Sequence, residues 1–285
     1  MHPTPLRLAL GGQILSLDRP RIMGILNLTS DSFYAPSRVE WSTNATVDRA
    51  GEMLDQGADI LDLGACSTRP GAPSVDPLLE EERIHAATES VLKAFPKALV
   101  SVDTFRARVA RTAHRAGAVL INDVAGGTLD PAMHPLVVEY KIPYILGHLR
   151  GSPETMAGMT DYRDAPSEVF DFLIQKAEEL LLHGASQIIL DPCFGFAKNQ
   201  TQNYQILKRL PELVAHGLPV LAGLSRKAMI YRPLGLDPSK ALNGTTVLNT
   251  LALTQGALLL RVHDVAEAMQ CVHLWELFDQ RHDVA

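Results

Sequence analysis

Eight short runs of apolar residues recur along the chain, and each run closes on a polar or charged side chain. The runs show no alternation between apolar and polar residues, which is typical of strands buried on both faces of a parallel sheet. Because segments of helical length separate the runs, the pattern predicts strands and helices in alternation. The residues that close the runs are Asn27, Asp62, Asp103, Asn122 with Asp123, His148, Asp191, Ser225 to Lys227, and Arg261 with His263.

The segments between the runs mostly carry apolar residues at three- and four-residue spacing, as amphipathic helices do. Four of these segments end in Gly-Ala just before the next run, at Gly57, Gly117, Gly184 and Gly256. A glycine at such a place can adopt the left-handed conformation that ends a helix. The clearest predicted helices span residues 46–56, 79–95, 104–116, 166–183 and 239–255.

Eight strand and helix units without a break in composition predict an α/β protein, and within that class a (β/α)8 TIM barrel. A doubly wound open sheet with extra strands would give a similar pattern and is the alternative fold. The segment LRLALGGQILSL has a Gly-Gly pair between alternating apolar residues, which predicts an N-terminal β-hairpin that could plug the barrel floor. We expect a single domain over residues 1–285, with the hairpin in 1–20 and the barrel in 21–280.

Composition and charge narrow the class of function. The net charge is −6 and there is no block of Lys and Arg, which argues against binding to nucleic acid or to a membrane surface. Cys66, Cys193 and Cys271 are widely spaced and form no C-x-x-C pair, so they suggest neither a disulfide framework nor a zinc site. No apolar stretch is long enough for a signal peptide or a membrane span. We therefore expect a cytoplasmic protein that acts on small molecules.

The polar residues that close the runs predict where the chemistry takes place. In a barrel the carboxyl ends of the strands open on the face that carries the active site. A single Asp at such a place is more often a helix N-cap than a ligand. Eight polar strand ends at one face are harder to explain in this way, so we expect a polar site there.

Eight motifs identify a family when they are taken together and in order. They resemble the motifs of dihydropteroate synthases and span residues 23–265, nearly the whole chain. The motifs are MGILNLTSDSF at 23–33, DLGACSTRPGA at 62–72, SVDTF at 101–105, INDVAGG at 121–127, HLRGSPETM at 148–156, DPCFGFAK at 191–198, GLSRK at 223–227 and RVHDV at 261–265.

The resemblance implies a TIM-barrel transferase of folate biosynthesis that is a target of sulfonamides. Such an enzyme joins 6-hydroxymethyl-7,8-dihydropterin pyrophosphate to p-aminobenzoate and releases 7,8-dihydropteroate and pyrophosphate. The resemblance also implies a Mg²⁺ cofactor and a homodimer. The implied mechanism is dissociative: the bond to pyrophosphate breaks first, and the aromatic amine then attacks the pterin methylene cation. This needs no protein nucleophile, and the sequence offers no convincing Ser-His-Asp or Cys-His arrangement.

The resemblance assigns a pterin site at the strand ends. A pterin presents a flat edge of N–H donors, and a buried carboxylate such as Asp191 can accept two of them at once. By resemblance Asp103 and Asn122 complete this edge, and Lys227 meets the ring carbonyl and a ring nitrogen. For Asp191 the alternative is an N-cap in an Asp-Pro turn. The pterin-binding residues implied are Asp103, Asn122, Asp191, Phe196, Gly223 and Lys227.

The last strand is expected to serve the leaving group, because departing pyrophosphate needs positive charge. Arg261 and His263 lie two residues apart and would point the same way if this stretch is extended. The resemblance gives pyrophosphate binding to Asn27, Thr68, Arg69, Arg261 and His263, with Asn27 as the Mg²⁺ ligand. It gives p-aminobenzoate binding to Phe33, Thr68, Arg69, Pro70 and Ser225. It implies catalytic roles for Lys227, Asp103, Arg261 and His263.

Several positions depart from the family pattern. Ala35 stands where an acidic residue is common, Cys66 replaces the usual Glu before STRP, and Cys193 stands where a glycine is usual. Two alternatives therefore accompany the synthase. One is a catalytically impaired paralogue that still binds pterin. The other is a methyltetrahydrofolate–corrinoid methyltransferase, which shares the pterin contacts but needs no pyrophosphate site.

Overall fold

Ten strands and nine α-helices make up the part of the protein that the computed structural model describes, which is residues 6–28, 42–66 and 75–279. The strands are β1 Arg7–Leu10, β2 Gln13–Ser16, β3 Arg21–Asn27, β4 Ile60–Gly64, β5 Val100–Asp103, β6 Leu120–Asp123, β7 Tyr144–Gly147, β8 Ile188–Asp191, β9 Leu221–Ala222 and β10 Leu259–Val262. The helices are α1 Thr43–Asp55, α2 Pro77–Ala94, α3 Ala107–Arg115, α4 Met133–Tyr140, α5 Ala165–Leu182, α6 Gln200–Val214, α7 Ala228–Tyr231, α8 Leu242–Thr254 and α9 Val265–Asp279.

Strands β3 to β10 form a closed barrel of parallel strands. They lie in the order β8, β7, β6, β5, β4, β3, β10, β9. The ring closes where Leu190 of β8 forms a parallel bridge with Val220, and the Leu190 N–H donates to the Pro219 carbonyl at 2.8 Å. An open doubly wound sheet would leave these two edges apart. The prediction of a TIM barrel is therefore confirmed.

The helices end where the glycines predicted. Gly57, Gly117, Gly184 and Gly256 have φ angles of 101°, 109°, 93° and 95°, each directly after the residue that caps a helix. Helix α3 begins three residues later than predicted, because the Asp130 carboxylate accepts the N–H of Ala107 at 2.7 Å and so caps the helix from a distant loop. Among the helices described, none combines the length and the apolar character needed to cross a membrane.

The hairpin of β1 and β2 closes the barrel floor, as its sequence suggested. Its turn is Gly11-Gly12, with φ angles of 55° and 82° that a glycine adopts without strain. Leu8 and Leu10 alternate with exposed residues along β1 and are buried. Together with Leu17 they pack in one cluster with residues at the amino-terminal ends of the barrel strands. These residues are Met23, Ile60, Leu120, Ile145, Ile189, Leu221 and Leu259.

We expect Leu10→Ala to lower the free energy of unfolding by about 2–5 kcal/mol, because the truncation leaves a cavity in the barrel floor. Leu10 is fully buried. Ile14→Ala in the same hairpin is the matched control, since Ile14 is 64% exposed and its truncation should change stability by less than about 0.5 kcal/mol. Denaturant unfolding measures both. Equal losses for the two variants would show that the hairpin does not seal the floor.

Candidate active site

The strand ends place most of the predicted site residues at one mouth of the barrel. Asn27, Asp103 and Asp191 end β3, β5 and β8 as expected. Strand β4 runs two residues past Asp62 to Gly64, so Asp62 lies within the strand and is fully buried. Strand β10 ends at Val262, and His263 follows directly after it.

Asp62 is the centre of a buried polar network that links four strands, β4, β5, β6 and β10. Its Oδ2 accepts the Arg261 Nε–H at 2.6 Å and the Asn122 Nδ2–H at 3.0 Å. Arg261 also donates through Nη2 to Asp103 Oδ2 at 2.6 Å. The guanidinium of Arg261 therefore lies between two carboxylates. Three predicted site residues, Arg261, Asp103 and Asn122, are brought together by a fourth residue to which the sequence assigned no role.

Burial sets the charge state of this network. It raises the pKa of Asp103 to about 7, and the nearby charges of Asp62, Glu80 and Asp123 add to the rise while Arg261 opposes it. Burial disfavours the charge of Arg261, but Asp62 and Asp103 outweigh it, so the pKa of Arg261 lies above its usual range. Asp103 consequently changes its protonation near neutral pH, whereas Arg261 stays charged.

Asp191 and Lys227 form the second half of the site. Asp191 Oδ1 accepts the Cys193 N–H at 2.7 Å, and burial raises the pKa of Asp191 while Lys227 opposes the rise. The Lys227 ammonium donates to the Phe194 carbonyl and lies 4.6 Å from the centre of the Phe196 ring. Burial lowers the pKa of Lys227 to about 8, with Asp191 opposing.

Asp191 is not the N-cap of a helix. The next helix, α6, starts at Gln200 and is capped by Asn199, whose side chain forms a capping box with Gln202. The Asp191 side chain instead makes the turn hydrogen bond to the residue after Pro192. This excludes the helix-capping alternative and leaves the second carboxylate oxygen of Asp191 for another role.

The two halves of the site meet at Gly223. A Cβ atom at this position would lie 3.8 Å from Lys227 Nζ and 3.9 Å from Arg261 Cβ, so the glycine leaves the space between the two cations open. Nearby, the Ser225 hydroxyl accepts the His263 N–H at 3.2 Å. Ser225 therefore connects the turn after β9 to the end of β10.

A buried lysine that the sequence did not single out supports the β8–α6 loop. The Lys198 ammonium is within 3.2 Å of His148 Nδ1 and of the carbonyls of His148 and Cys193, and within 2.9 Å of the Phe196 carbonyl. Burial lowers the pKa of Lys198 to about 7 and that of His148 to about 2. This contact holds the loop that carries Phe194 and Phe196 under Lys227.

The same loop contains backbone that side chains rarely adopt. Cys193 and Ala197 have φ angles of 52° and 49°, in the left-handed region. The expectation that a glycine is usual at position 193 agrees with this conformation. Lys198 contacts the carbonyl of Cys193 and directly follows Ala197, so its four contacts surround the strained segment.

Four predicted site residues, Phe33, Thr68, Arg69 and Pro70, lie outside the described residues, as does Ala35. Cys66 is described and half-buried, and burial raises the pKa of its thiol. Within residues 6–28, 42–66 and 75–279, no group of three or more His, Cys, Asp or Glu side chains could hold a metal ion. Asn27 ends β3 with an exposed side chain, and its amide oxygen is a hard ligand of the kind Mg²⁺ takes.

The sequence carried one signal for Asp62 that could have identified it. In the run ADILDLG a charged residue stands between Leu61 and Leu63 inside an apolar strand, where an ionised side chain is costly unless it is paired. The partners Asn122 and Arg261 are 60 and 199 residues away in sequence, so nothing local names them. Lys198 is the last residue of the motif DPCFGFAK, but nothing in the sequence indicates that its side chain is buried.

Comparisons with known proteins agree with the barrel fold and identify a family. A family described as "Pterin binding enzyme" matches residues 23–263. The chain is 41% identical over 257 residues to a dihydropteroate synthase of Synechocystis sp., covering 88% of this chain and 87% of the relative.

The chain is also similar to solved structures of dihydropteroate synthases. One is a Xanthomonas albilineans dihydropteroate synthase with 4-aminobenzoic acid, with a TM-score of 0.89, 38% identity and coverage of 97% and 99% of the two chains. Another is a Thermus thermophilus dihydropteroate synthase in complex with 6HMPPP, with a TM-score of 0.82, 38% identity and coverage of 95% and 99%.

We expect Lys198→Met to lower the free energy of unfolding by roughly 2–4 kcal/mol, because it leaves several buried acceptors without a donor. The matched control is Lys176→Met, which removes a surface ion pair with Glu179 at 2.6 Å and should change stability by less than about 1 kcal/mol. Thermal and denaturant unfolding measure both variants. If Lys198→Met is no less stable than the control, the lysine does not hold the loop.

Proposed function

The chain belongs to the dihydropteroate synthase family of pterin-binding enzymes, and on that premise we propose that its barrel mouth joins 6-hydroxymethyl-7,8-dihydropterin pyrophosphate to p-aminobenzoate, giving 7,8-dihydropteroate and pyrophosphate for folate biosynthesis. The observation that carries the proposal is the convergence of Asp103, Asn122, Asp191, Lys227 and Arg261 at that mouth. The bound 4-aminobenzoic acid and 6HMPPP in two similar structures support both substrates.

In this proposal the pterin binds edge-on to the buried acceptors. One oxygen of Asp191 is engaged by the Cys193 N–H, and the other accepts donors of the pterin edge. Asp103 and Asn122 complete the edge, and Lys227 donates to the pterin carbonyl and a ring nitrogen. The Phe196 ring beside Lys227, together with Gly223, forms part of the wall.

The leaving pyrophosphate is bound from the β10 side. Arg261 carries the positive charge there, and His263 follows it at the end of the strand. Asn27, Thr68 and Arg69 complete the pyrophosphate site in this proposal. Asn27 would also hold Mg²⁺, which when bound neutralises charge on the pyrophosphate oxygens; water and pyrophosphate oxygens would supply its other ligands.

In this scheme catalysis comes from preorganised charged side chains, which are already in position when the bond breaks. As the C–O bond to pyrophosphate breaks, the methylene carbon becomes cationic and its charge spreads into the pterin ring. In this proposal the carboxylates of Asp103 and Asp191 lie along that ring and stabilise the cation, while Arg261 stabilises the departing anion. The p-aminobenzoate amine then attacks and loses a proton.

The p-aminobenzoate is positioned for this attack by Phe33, Pro70, Thr68, Arg69 and Ser225. The buried Ser225 hydroxyl accepts the His263 N–H, which supports a binding face next to the pyrophosphate site. No protein nucleophile is needed. The impaired paralogue and the corrinoid methyltransferase gain no support from the relatives described above, which are named as dihydropteroate synthases.

A pyrophosphate-release assay with both substrates tests the proposal. We expect release that requires p-aminobenzoate, since an impaired paralogue would release none and the methyltransferase has no pyrophosphate to release. In the same assay Asp191→Asn should lower kcat/KM by about 30-fold to 1000-fold, or about 2–4 kcal/mol, because the amide turns a donor toward the pterin's own donors. A folded Asp191→Asn variant with unchanged kcat/KM would remove Asp191 from the site.

We further propose that the enzyme is a cytoplasmic homodimer. All three cysteines are unpaired, which supports a reducing compartment. Helices α8 and α9 pack against each other and expose apolar side chains that a second copy would cover. Leu274, Leu277 and Phe278 repeat at helical spacing on α9 and are 65%, 64% and 76% exposed, and Val247 and Leu251 do so on α8.

Phe278→Glu should convert the dimer to a monomer, because it places a charge in this apolar face. Leu182→Glu is the matched control: Leu182 is 87% exposed, and it ends α5 instead of belonging to α8 or α9. We expect sedimentation velocity to give a dimer for the wild type and for Leu182→Glu. A Phe278→Glu variant that remains dimeric would place the interface elsewhere.

A further inference from the structure

Asp62 is fully buried beside the proposed pterin site, yet neither the assigned pterin contacts nor the pyrophosphate contacts include it. Its Oδ2 receives two hydrogen bonds, from Arg261 and from Asn122. Its Oδ1 is buried and has no hydrogen-bond partner. A buried acceptor without a donor costs roughly 1–3 kcal/mol or more, so stability alone is a poor reason for a carboxylate here.

The contact with Asp62 fixes the orientation of the Asn122 amide. A carboxylate oxygen accepts hydrogen bonds, so Asn122 must present its Nδ2 group to Asp62. The carbonyl oxygen of the same amide is then directed elsewhere and remains an acceptor. A pterin edge consists of donors, so this is the orientation that the proposed ligand needs.

Asp62 orients Arg261 in a similar way. The guanidinium is planar, and it is held at two points: Nε contacts Asp62 and Nη2 contacts Asp103, each at 2.6 Å. With both points fixed, the plane of the guanidinium is fixed as well. One carboxylate therefore orients an acceptor for the pterin and a cation for the pyrophosphate.

We propose that Asp62 is a positioning residue of the active site, which sets the acceptor orientation of Asn122 and the plane of Arg261 without contacting the reacting atoms. This rests on the proposed function. Replacing Asp62 by Asn shows why the charge is required. The amide oxygen can take the position of Oδ2 and still accept from Arg261 and Asn122, but it is neutral, so both hydrogen bonds weaken. Arg261 also loses one of the two carboxylates that fix its plane.

A pH profile separates this role from simple loss of stability. The charged groups around Asp103 are Arg261 from β10, Asp62 from β4, Glu80 from α2 and Asp123 from β6, together with Lys227 from the turn after β9. The charge of Asp62 raises the pKa of Asp103, and Asp62 shares Arg261 with it. Without that charge the pKa of Asp103 falls, so binding that needs the charged form of Asp103 persists to lower pH.

The experiment measures calorimetric binding of 6-hydroxymethyl-7,8-dihydropterin to the full chain from pH 5.5 to 8.5. For the wild type we expect affinity to rise with pH through a midpoint near 7, where Asp103 loses its proton. For Asp62→Asn we expect at least tenfold weaker binding at pH 8 and a midpoint at lower pH. The kinetic counterpart is a higher KM for the pterin substrate together with a displaced acid limb of kcat/KM.

Asp59→Asn is the matched control. Asp59 precedes β4 by one residue, at the floor end of the barrel, and it is also a paired carboxylate, with Arg21 at 3.2 Å and the Ile22 N–H at 2.9 Å. We expect it to lose stability without a change in pterin affinity or midpoint. A folded Asp62→Asn variant with unchanged affinity, or with weaker binding and an unmoved midpoint, would overturn the proposal. A wild type that binds no pterin would instead overturn the proposed function.

If Asp62→Asn does not fold, a second substitution keeps the test decisive. Asp62→Ser retains a hydroxyl group and removes the charge with a smaller side chain. We expect Asp62→Ser also to bind pterin at least tenfold more weakly than the wild type at pH 8, with a midpoint at lower pH. A folded Asp62→Ser variant with unchanged affinity or an unmoved midpoint would overturn the proposal.

Discussion

The arrangement of the site follows from the free-energy cost of burying charged side chains in the interior of the barrel. An ionised group in such a place must be paired or must lose its charge. Arg261 is accordingly held between Asp62 and Asp103, while Lys227 and Lys198 are directed onto backbone carbonyls of one loop. The closed ring of strands gives each of these groups a fixed backbone position. Pairing then leaves specific lone pairs and donors available for a ligand.

The same constraint brings the pKa values of several buried groups, among them Asp103 and Lys227, close to neutral. Burial raises the pKa of Asp103 to about 7 and lowers that of Lys227 to about 8, so both respond to small changes in their surroundings. A ligand that adds donors beside Asp103 stabilises its charged form. In the proposed function, pterin binding is therefore linked to proton release at Asp103.

Much of the fold could be predicted from the sequence, because the signals are local. Apolar runs predicted the strands, and Gly57, Gly117, Gly184 and Gly256 predicted the helix ends. The start of α3 could not be predicted, since the carboxylate of Asp130 that accepts its first N–H lies beyond the helix in sequence and reaches it only in the folded barrel.

The sequence predicted where several polar residues lie in the barrel, but not the contacts between them. Asp103, Asn122, Asp191, Lys227 and Arg261 lie at the predicted mouth. Their pairing through Asp62 depends on contacts between distant strands, which no spacing in the sequence encodes. The support of the β8–α6 loop by Lys198 likewise depends on a lysine being buried. Phe33, Thr68, Arg69 and Pro70 lie outside the described residues, and their roles stay predictions.

The hairpin at the barrel floor determines by which end ligands enter and leave the barrel. With Leu8, Leu10 and Leu17 filling the floor, the barrel is closed at that end, so ligands enter and leave through the mouth at the carboxyl ends of the strands. In the proposed function a pterin bound against Asp191 and Asn122 lies deeper than the p-aminobenzoate. The joined product then leaves as one molecule with its p-aminobenzoate end first, and the pterin site stays occupied until the whole product has left.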